Sequence, residues 1–282
     1  MPLRRLVAAV LAGLILAGPA VAKPPAPKSV ELYAMDCGRI HETDADAYAD
    51  DGAYKGQARD LVVPCFLIRH PKGDLIWDTG LSQAIADLPG HRNAYGMSVT
   101  HRLTDQLKVL GLTPVDIDYL SVSHSHFDHS GNGGLFATST WIVDADERAY
   151  AFRPAARADQ DEFAPYAALE GAKTILIQGD GDYGVFGDGS VVIVQAPGHT
   201  PGHTVLLVRL KQAGPVLLTG DMWHMAESRA TRRVPRFNTD RAQTLRSMDK
   251  VEALAKATGA RVVMEHVQAD FDALPRFPEP LR

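Results

Sequence analysis

Between Ser121 and Asn132 the chain reads Ser-Val-Ser-His-Ser-His-Phe-Asp-His-Ser-Gly-Asn, which sets His124, His126, Asp128 and His129 within six positions. Imidazole nitrogen plus carboxylate oxygen is the donor set that suits zinc and, less selectively, iron or manganese. On extended chain alternate side chains point the same way, so His124 and His126 can close on one ion. Past the bend, Asp128 and His129 face elsewhere and can hold a second ion about 3.5–4 Å away. A His-rich surface loop that binds metal by accident is the bland alternative, and four ligand-type residues so close together argue against it.

Such ligands need rigid carriers. The apolar run ahead of the cluster, Tyr119–Val122, reads as a buried strand, and Gly131, Gly133 and Gly134 behind it put the cluster on the loop at the strand's end. Three later positions repeat the arrangement. His199 lies in Ala196-Pro-Gly-His-Thr-Pro-Gly-His203, whose prolines and glycines hold a fixed turn; Asp221 follows Val216-Leu-Leu-Thr-Gly220; His266 follows Val262-Val-Met-Glu265. One strand-end histidine is more often structural than a ligand, but four strand ends that each offer a ligand-type residue point to a shared site. Asp78, in Asp78-Thr-Gly80, closes the strand Asp74–Trp77 and is suited to orient a metal-bound histidine through its free ring nitrogen.

Further strands are expected at Val30–Met35, Leu61–Arg69, Trp141–Val143, Thr174–Ile177, Val191–Gln195, Thr204–Leu210, Pro215–Thr219 and Arg261–Glu265. The clearest helix runs from Asp240 to Thr258, with Leu245, Met248, Val251 and Leu254 on one face, an Asp240/Gln243 capping box and Gly259 as its stop. Leu103, Leu107 and Leu110 mark a shorter amphipathic helix. Residues 41–60, acidic and polar, read as a surface excursion near the site entrance. Residues 88–101 mix aromatic, Met and Gly without periodicity, which suits either a mobile loop over a pocket or an ordinary surface loop. Many strands with few helices, in two successive groups, predict an α+β fold of two packed sheets with helices outside, as one domain over residues 23–282.

The 282 residues are 45% hydrophobic and 22% charged, enough for a sizeable core. A formal net charge of −5 with no long basic run argues against a nucleic-acid partner. Arg4 and Arg5, the apolar run Leu6–Ala17 and Ala20-Val-Ala22 form the three regions of a secretory signal peptide over residues 1–22, with cleavage before Lys23. The run is too short to span a membrane comfortably and Gly18-Pro19 interrupts it, so no stable membrane anchor is expected. A periplasmic or secreted protein follows. That compartment permits a disulfide between Cys37 and Cys65, the only two cysteines, though two buried thiols on neighbouring strands would read the same way.

In order along the chain, Asp78-Thr-Gly80, His124-x-His126-x-Asp128-His129, His199, Asp221 and His266 resemble the metallo-β-lactamase superfamily. That resemblance covers nearly the whole chain after Lys23 and implies an αββα sandwich with two divalent metal ions, zinc foremost, at one edge of the sheets. It implies that His124, His126 and His199 hold one ion, that Asp128, His129 and His266 hold the other, and that Asp221 bridges them. Within the superfamily the chain is most similar to the N-acyl homoserine lactonases, whose Ser-His-x-His-Phe-Asp-His-x-Gly pattern stands at Ser123–Gly131. The separations also match, with 22 residues from His199 to Asp221 and 45 from Asp221 to His266. Those enzymes commonly carry a Tyr three residues beyond the bridging Asp, where this chain has His224.

The implied activity is opening of a small-molecule lactone by attack of a metal-bound hydroxide. Asp128 would act as proton donor to the leaving oxygen, with His224 a candidate oxyanion donor and Phe127, Met222 and Trp223 lining the substrate pocket. Rival readings are a true metallo-β-lactamase, which would generally lack the bridging carboxylate, and a thioester hydrolase of the glyoxalase II type. The latter would want a C-terminal basic cluster, where this chain offers only Arg276 and Arg282. A periplasmic zinc-binding protein without catalysis is the rival of another class.

Overall fold

The computed structural model describes residues 23–282, so the expected signal peptide lies outside the described residues. Seven strands form one sheet: β1 (Glu31–Glu42), β2 (Arg59–His70), β3 (Gly73–Trp77), β4 (Met97–Ser98), β5 (Tyr119–Ser121), β6 (Thr140–Asp144) and β7 (Thr174–Ile177). Their order is β4-β1-β2-β3-β5-β6-β7, antiparallel from β4 to β3 and parallel from β3 to β7. The second sheet comprises β8 (Tyr183–Gly184), β9 (Val191–Gln195), β10 (Thr204–Leu210), β11 (Gly214–Leu218) and β12 (Arg261–Val263), in the order β12-β11-β10-β9-β8. β8 to β11 are antiparallel and β12 joins β11 in parallel.

Because side chains alternate along a strand, each sheet has two faces to cover. Inward residues such as Phe66, Ile68, Leu75 and Trp77 of the first sheet meet Ile193, Leu206, Val208 and Leu218 of the second in one shared core. The outward face of the first sheet, with Cys65, Leu67 and Ile76, packs under Leu103 and Leu107 of the helix Leu103–Val109 and under Phe163–Leu169. The outward face of the second, with Val194, Val205, Leu207 and Leu217, packs under Met248, Val251 and Ala255 of the helix Arg241–Thr258. The layers therefore run helix, sheet, sheet, helix, which is the expected αββα sandwich.

The long helix starts and stops as its sequence predicts: the Asp240 carboxylate accepts from the Gln243 N–H at 2.9 Å, and Gly259 ends it at φ 66. Leu245 and Leu254 flank the buried stripe as half-buried contacts. Two short strands, β4 and β8, escape the periodicity because a two-residue strand has none to show. β1 runs to Glu42, beyond the expected Met35, with a register shift between Asp36 and Arg39. Cys37 and Cys65 form a disulfide across β1 and β2, with Cα atoms 5.7 Å apart. Among the described residues no helix is long and apolar enough to cross a membrane.

Candidate metal centre

The chain leaves β3, β5, β9, β11 and β12 at one edge of the sandwich, and each exit delivers a site residue. Asp78 follows β3, the run from His124 to His129 follows β5, His199 follows β9, Asp221 follows β11 and His266 follows β12. Gly220 sits at φ 48, and a Cβ there would lie 2.6 Å from Ser123 Cβ and 2.8 Å from His203 Nε2. Only glycine lets β11 turn Asp221 into so tight a place.

Two clusters converge. His124 Nε2 lies 2.8 Å from His126 Nδ1, and His199 Nε2 lies 3.1 Å from the same His126 atom. On the other side His129 Nε2 and His266 Nε2 are 3.3 Å apart, with Asp128 Oδ2 at 3.8 and 3.5 Å from them. Asp221 stands between the two: Oδ2 is 3.4 Å from His124 and 3.1 Å from His199, while Oδ1 is 3.0 Å from His129 and 2.8 Å from His266. These residues are buried apart from the half-buried His126.

The arrangement fits metal ions. Asp221 Oδ1 is buried with imidazole nitrogens at 2.8 and 3.0 Å but in no well-aligned hydrogen bond, although a buried oxygen normally has one. Imidazole nitrogens crowd to within 3.3 Å of one another, which protons alone cannot satisfy at every contact. Burial, then the neighbouring imidazoles, holds His124 and His126 well below the ordinary histidine range, so their lone pairs are free. Burial opposes charge on His266 too, but Asp221 and then Asp128 raise it to about 9. Burial likewise disfavours the Asp221 carboxylate, and the facing histidines, His224 first, hold it well below the usual range.

Behind the ligands lies a second set of contacts. Asp78, at φ 53 in the left-handed region that Asp tolerates, accepts from the His129 Nδ1–H at 2.8 Å and from the Ser123 N–H at 2.6 Å. It orients His129 in the manner its strand-end position predicts. His266 Nδ1–H donates to the Val62 carbonyl at 2.9 Å.

Three supporting residues are invisible in the sequence pattern. His203, pushed down by burial to about 3, is neutral; its Nδ1–H donates to the Ala196 carbonyl at 3.0 Å, and its Nε2 accepts the Asp221 N–H at 3.0 Å. Buried Glu147 accepts from the Ser125 N–H (2.7 Å), the Thr200 hydroxyl (2.6 Å) and the Gly202 N–H (3.2 Å), tying the His126 loop to the His199 loop. Glu265 accepts from Trp77 Nε1 at 3.2 Å and the Gly220 N–H at 2.9 Å.

The mouth joins two segments far apart in sequence. Arg236 grips Asp46 at 2.6 and 3.0 Å, Arg233 grips Asp51 at 3.2 and 3.0 Å, and Arg241 grips Asp50. Backbone bonds from Asp50 N–H to the Val234 carbonyl and from Arg236 N–H to the Ala47 carbonyl, both 2.8 Å, complete the clamp. It stands Tyr48 and Phe237 edge-on to His224, at ring-centroid distances of 5.3 and 5.5 Å. The expected 41–60 excursion is shorter, since His41–Glu42 end β1 and Arg59–Asp60 begin β2, and its Tyr48 reaches the centre beside His224.

Other expectations for the pocket change. Met222 and Trp223 do not line it: each is 1% exposed and packs in the core beneath the helix Arg241–Thr258, because the turn after Asp221 directs them inward. Phe127, 39% exposed beside Asp128, is at the surface. His224 turns Nε2 onto Asp221 Oδ2 at 2.9 Å, so this nitrogen is not free as an oxyanion donor. The 88–101 stretch pairs along β1 through Met97–Ser98, with the His41 N–H on the Gly96 carbonyl, as an ordinary surface segment.

A sandwich carrying this ligand set at its edge defines a metallohydrolase class, and the model of the Metallo-beta-lactamase superfamily matches residues 58–266: the chain belongs to that superfamily. Within it the similarity is to lactonases. N-acyl homoserine lactonase AttM of Azorhizobium caulinodans is 35% identical, covering 88% of this chain and 96% of its own. N-acyl homoserine lactonase AttM of Agrobacterium fabrum is 32% identical over 88% of this chain and 98% of its own. A solved N-acyl homoserine lactone hydrolase with the product N-hexanoyl-L-homoserine bound at its catalytic metal center is 27% identical, with a TM-score of 0.75, covering 90% of this chain and 100% of its own.

Proposed function

We propose that the protein hydrolyses N-acyl homoserine lactones to the open hydroxy acid with two divalent ions, natively zinc, and that it works outside the cytoplasm after loss of residues 1–22. The observation that carries the reading is Asp221, whose two oxygens face two separate groups of imidazoles. The relatives named above, at 35% and 32% identity, support the substrate class. Zinc is favoured by the nitrogen-rich, thiolate-free donor set.

When bound, two such ions supply Lewis acidity to the ester and lower the pKa of a water from 15.7 to about 7. His124, His126 and His199 would hold one, and Asp128, His129 and His266 the other, with Asp221 shared. Asp78 keeps the His129 proton on Nδ1 and its Nε2 lone pair turned to the centre. Asp128, beside the exposed Phe127, is the carboxylate to which this reading assigns proton transfer to the leaving ring oxygen. Export accords with the Cys37–Cys65 disulfide, which an oxidising compartment maintains.

The decisive experiment gives the metal-replete protein an acyl-homoserine lactone, nitrocefin and a thioester side by side. Acid release from the lactone alone is expected; rapid nitrocefin turnover with no lactone opening would overthrow the lactonase reading. Elemental analysis should find about two zinc equivalents per chain, and one at saturation would sink the dinuclear centre. N-terminal sequencing of the exported protein should begin at or near Lys23, whereas recovery of an uncleaved cytosolic chain would refute export.

A further inference from the structure

We propose that Tyr48 is a catalytic residue of this centre, its phenol O–H donating a hydrogen bond to the ester of the bound lactone. The inference rests on the lactonase reading and adds to it a residue of the 44–58 excursion.

Position comes first. The Tyr48 ring stands edge-on to His224 and to Phe237, both at 5.3 Å between centroids. Phe237 in turn lies 5.8 Å from His199 and 6.3 Å from His126, so the phenol belongs to a continuous aromatic wall against the metal-binding histidines. Burial first, then Glu42, raises its pKa far above the ordinary tyrosine value. A buried phenol in this position stays protonated and can donate.

Availability comes second. The hydroxyl donates to Glu42 Oε1 at 3.1 Å, just beyond the 2.5–3.0 Å usual for O–H···O, and this is the bond that the developing oxyanion of the substrate would take over. His224 points its Nε2 at Asp221 Oδ2 instead, and Tyr48 is the neutral donor beside it. The clamp of Asp46, Asp50 and Asp51 with Arg236, Arg241 and Arg233 fixes the segment before substrate arrives, and a donor placed in advance is the kind that stabilises developing charge.

The chemistry is a hydrogen bond without proton transfer. Addition of water's oxygen to the ester carbon, with one of its protons taken up by Asp128, breaks the carbonyl π bond and places charge on the carbonyl oxygen. Collapse reforms the carbonyl, breaks the bond to the ring oxygen and moves the charge there. A phenol that keeps its proton serves this ester in both steps, and the proton reaching the leaving oxygen comes from Asp128.

The test compares Tyr48→Phe with the parent as metal-replete full chains, on N-hexanoyl homoserine lactone and on unsubstituted γ-butyrolactone. The ring and its packing remain, so metal content and Tm should be unchanged. We expect kcat to fall at least about tenfold on both lactones with KM within about threefold, a smaller loss than the 10²–10³ of a sole oxyanion donor because bound ions share the charge. A kcat within twofold of the parent on both substrates overturns the proposal. So does a loss confined to KM for the acylated lactone, which would make Tyr48 only a wall for the acyl chain. A parent that opens neither lactone overturns the lactonase reading and this inference together; an active parent with an unaffected Tyr48→Phe overturns Tyr48 alone.

Discussion

The cluster around Asp221 and the mouth above it sit a few ångströms apart, yet different forces hold them. In the cluster each ligand leaves the end of a strand whose core side chains are packed between two sheets. Its second nitrogen or backbone amide is often anchored by a buried partner: His129 by Asp78, the amide of Asp221 by His203, His266 by Val62. At the mouth, Tyr48 ends a short 3-10 helix, Ala45–Tyr48, and Phe237 lies in a turn, the two joined by solvent-facing Asp–Arg pairs. Exposed pairs add little stability individually and weaken with salt. The contrast teaches that the centre is anchored in the sandwich core, whereas the mouth is set by contacts at the surface between two distant segments.

The largest effect should come from the centre of the cluster. Asp221→Ala removes the one carboxylate facing both groups, so elemental analysis should find clearly fewer than two metal equivalents. Activity should drop by at least about 10³-fold, the equivalent of several kcal/mol of transition-state stabilisation. Retention of two equivalents with full turnover would dissolve the distinction between a core-anchored centre and a surface-held mouth. Asp128→Asn should retain appreciable metal and lose about 10²-fold or more in kcat, the scale of a positioned proton donor.

Glu147→Ala probes the anchoring itself, away from the reacting atoms. It strands three buried donors on the Ser125, Thr200 and Gly202 side, at about 1–3 kcal/mol each where water cannot enter. A fall in Tm of roughly 6–12 °C is expected from a net loss of about 3 kcal/mol, measured by calorimetry on metal-free protein. An unchanged Tm would show that these hydrogen bonds do not tie the loops.

The smallest effect belongs to the clamp. Arg236→Ala should move Tm by less than about 2 °C while changing kcat/KM for the lactone severalfold. In a Tyr48→Phe background the same change should add less, because the two act through one residue. A large Tm loss from Arg236→Ala would mean that the mouth is as deeply anchored as the centre.

Local pattern explains how much of this was readable beforehand. An apolar run broken by glycine or proline marks a strand and its end within a few residues, and the seven candidate ligands that the structure gathers stand at such ends or in the loops after them. Hence His124, His126, Asp128, His129, His199, Asp221, His266 and the orienting Asp78 could all be named, as could the helix from Asp240 to Thr258. The same pattern misled at Met222 and Trp223, because it does not say which way a chain turns after a strand, and here they turned beneath the helix.

Contacts between distant segments carry no such local mark. Glu147 is one acidic residue on a short helix until the fold sets it between the loops of Ser125 and Thr200, 22 residues before it and 53 after it. Tyr48 sits in a polar stretch with no periodicity, and its partner segment begins more than 180 residues later. The candidate ligands and their order were thus written into the chain, since strand periodicity and turn chemistry act over a few residues. The supports and the mouth were fixed by packing, since a hydrogen bond or ring contact depends on distance in space, which sequence separation does not set.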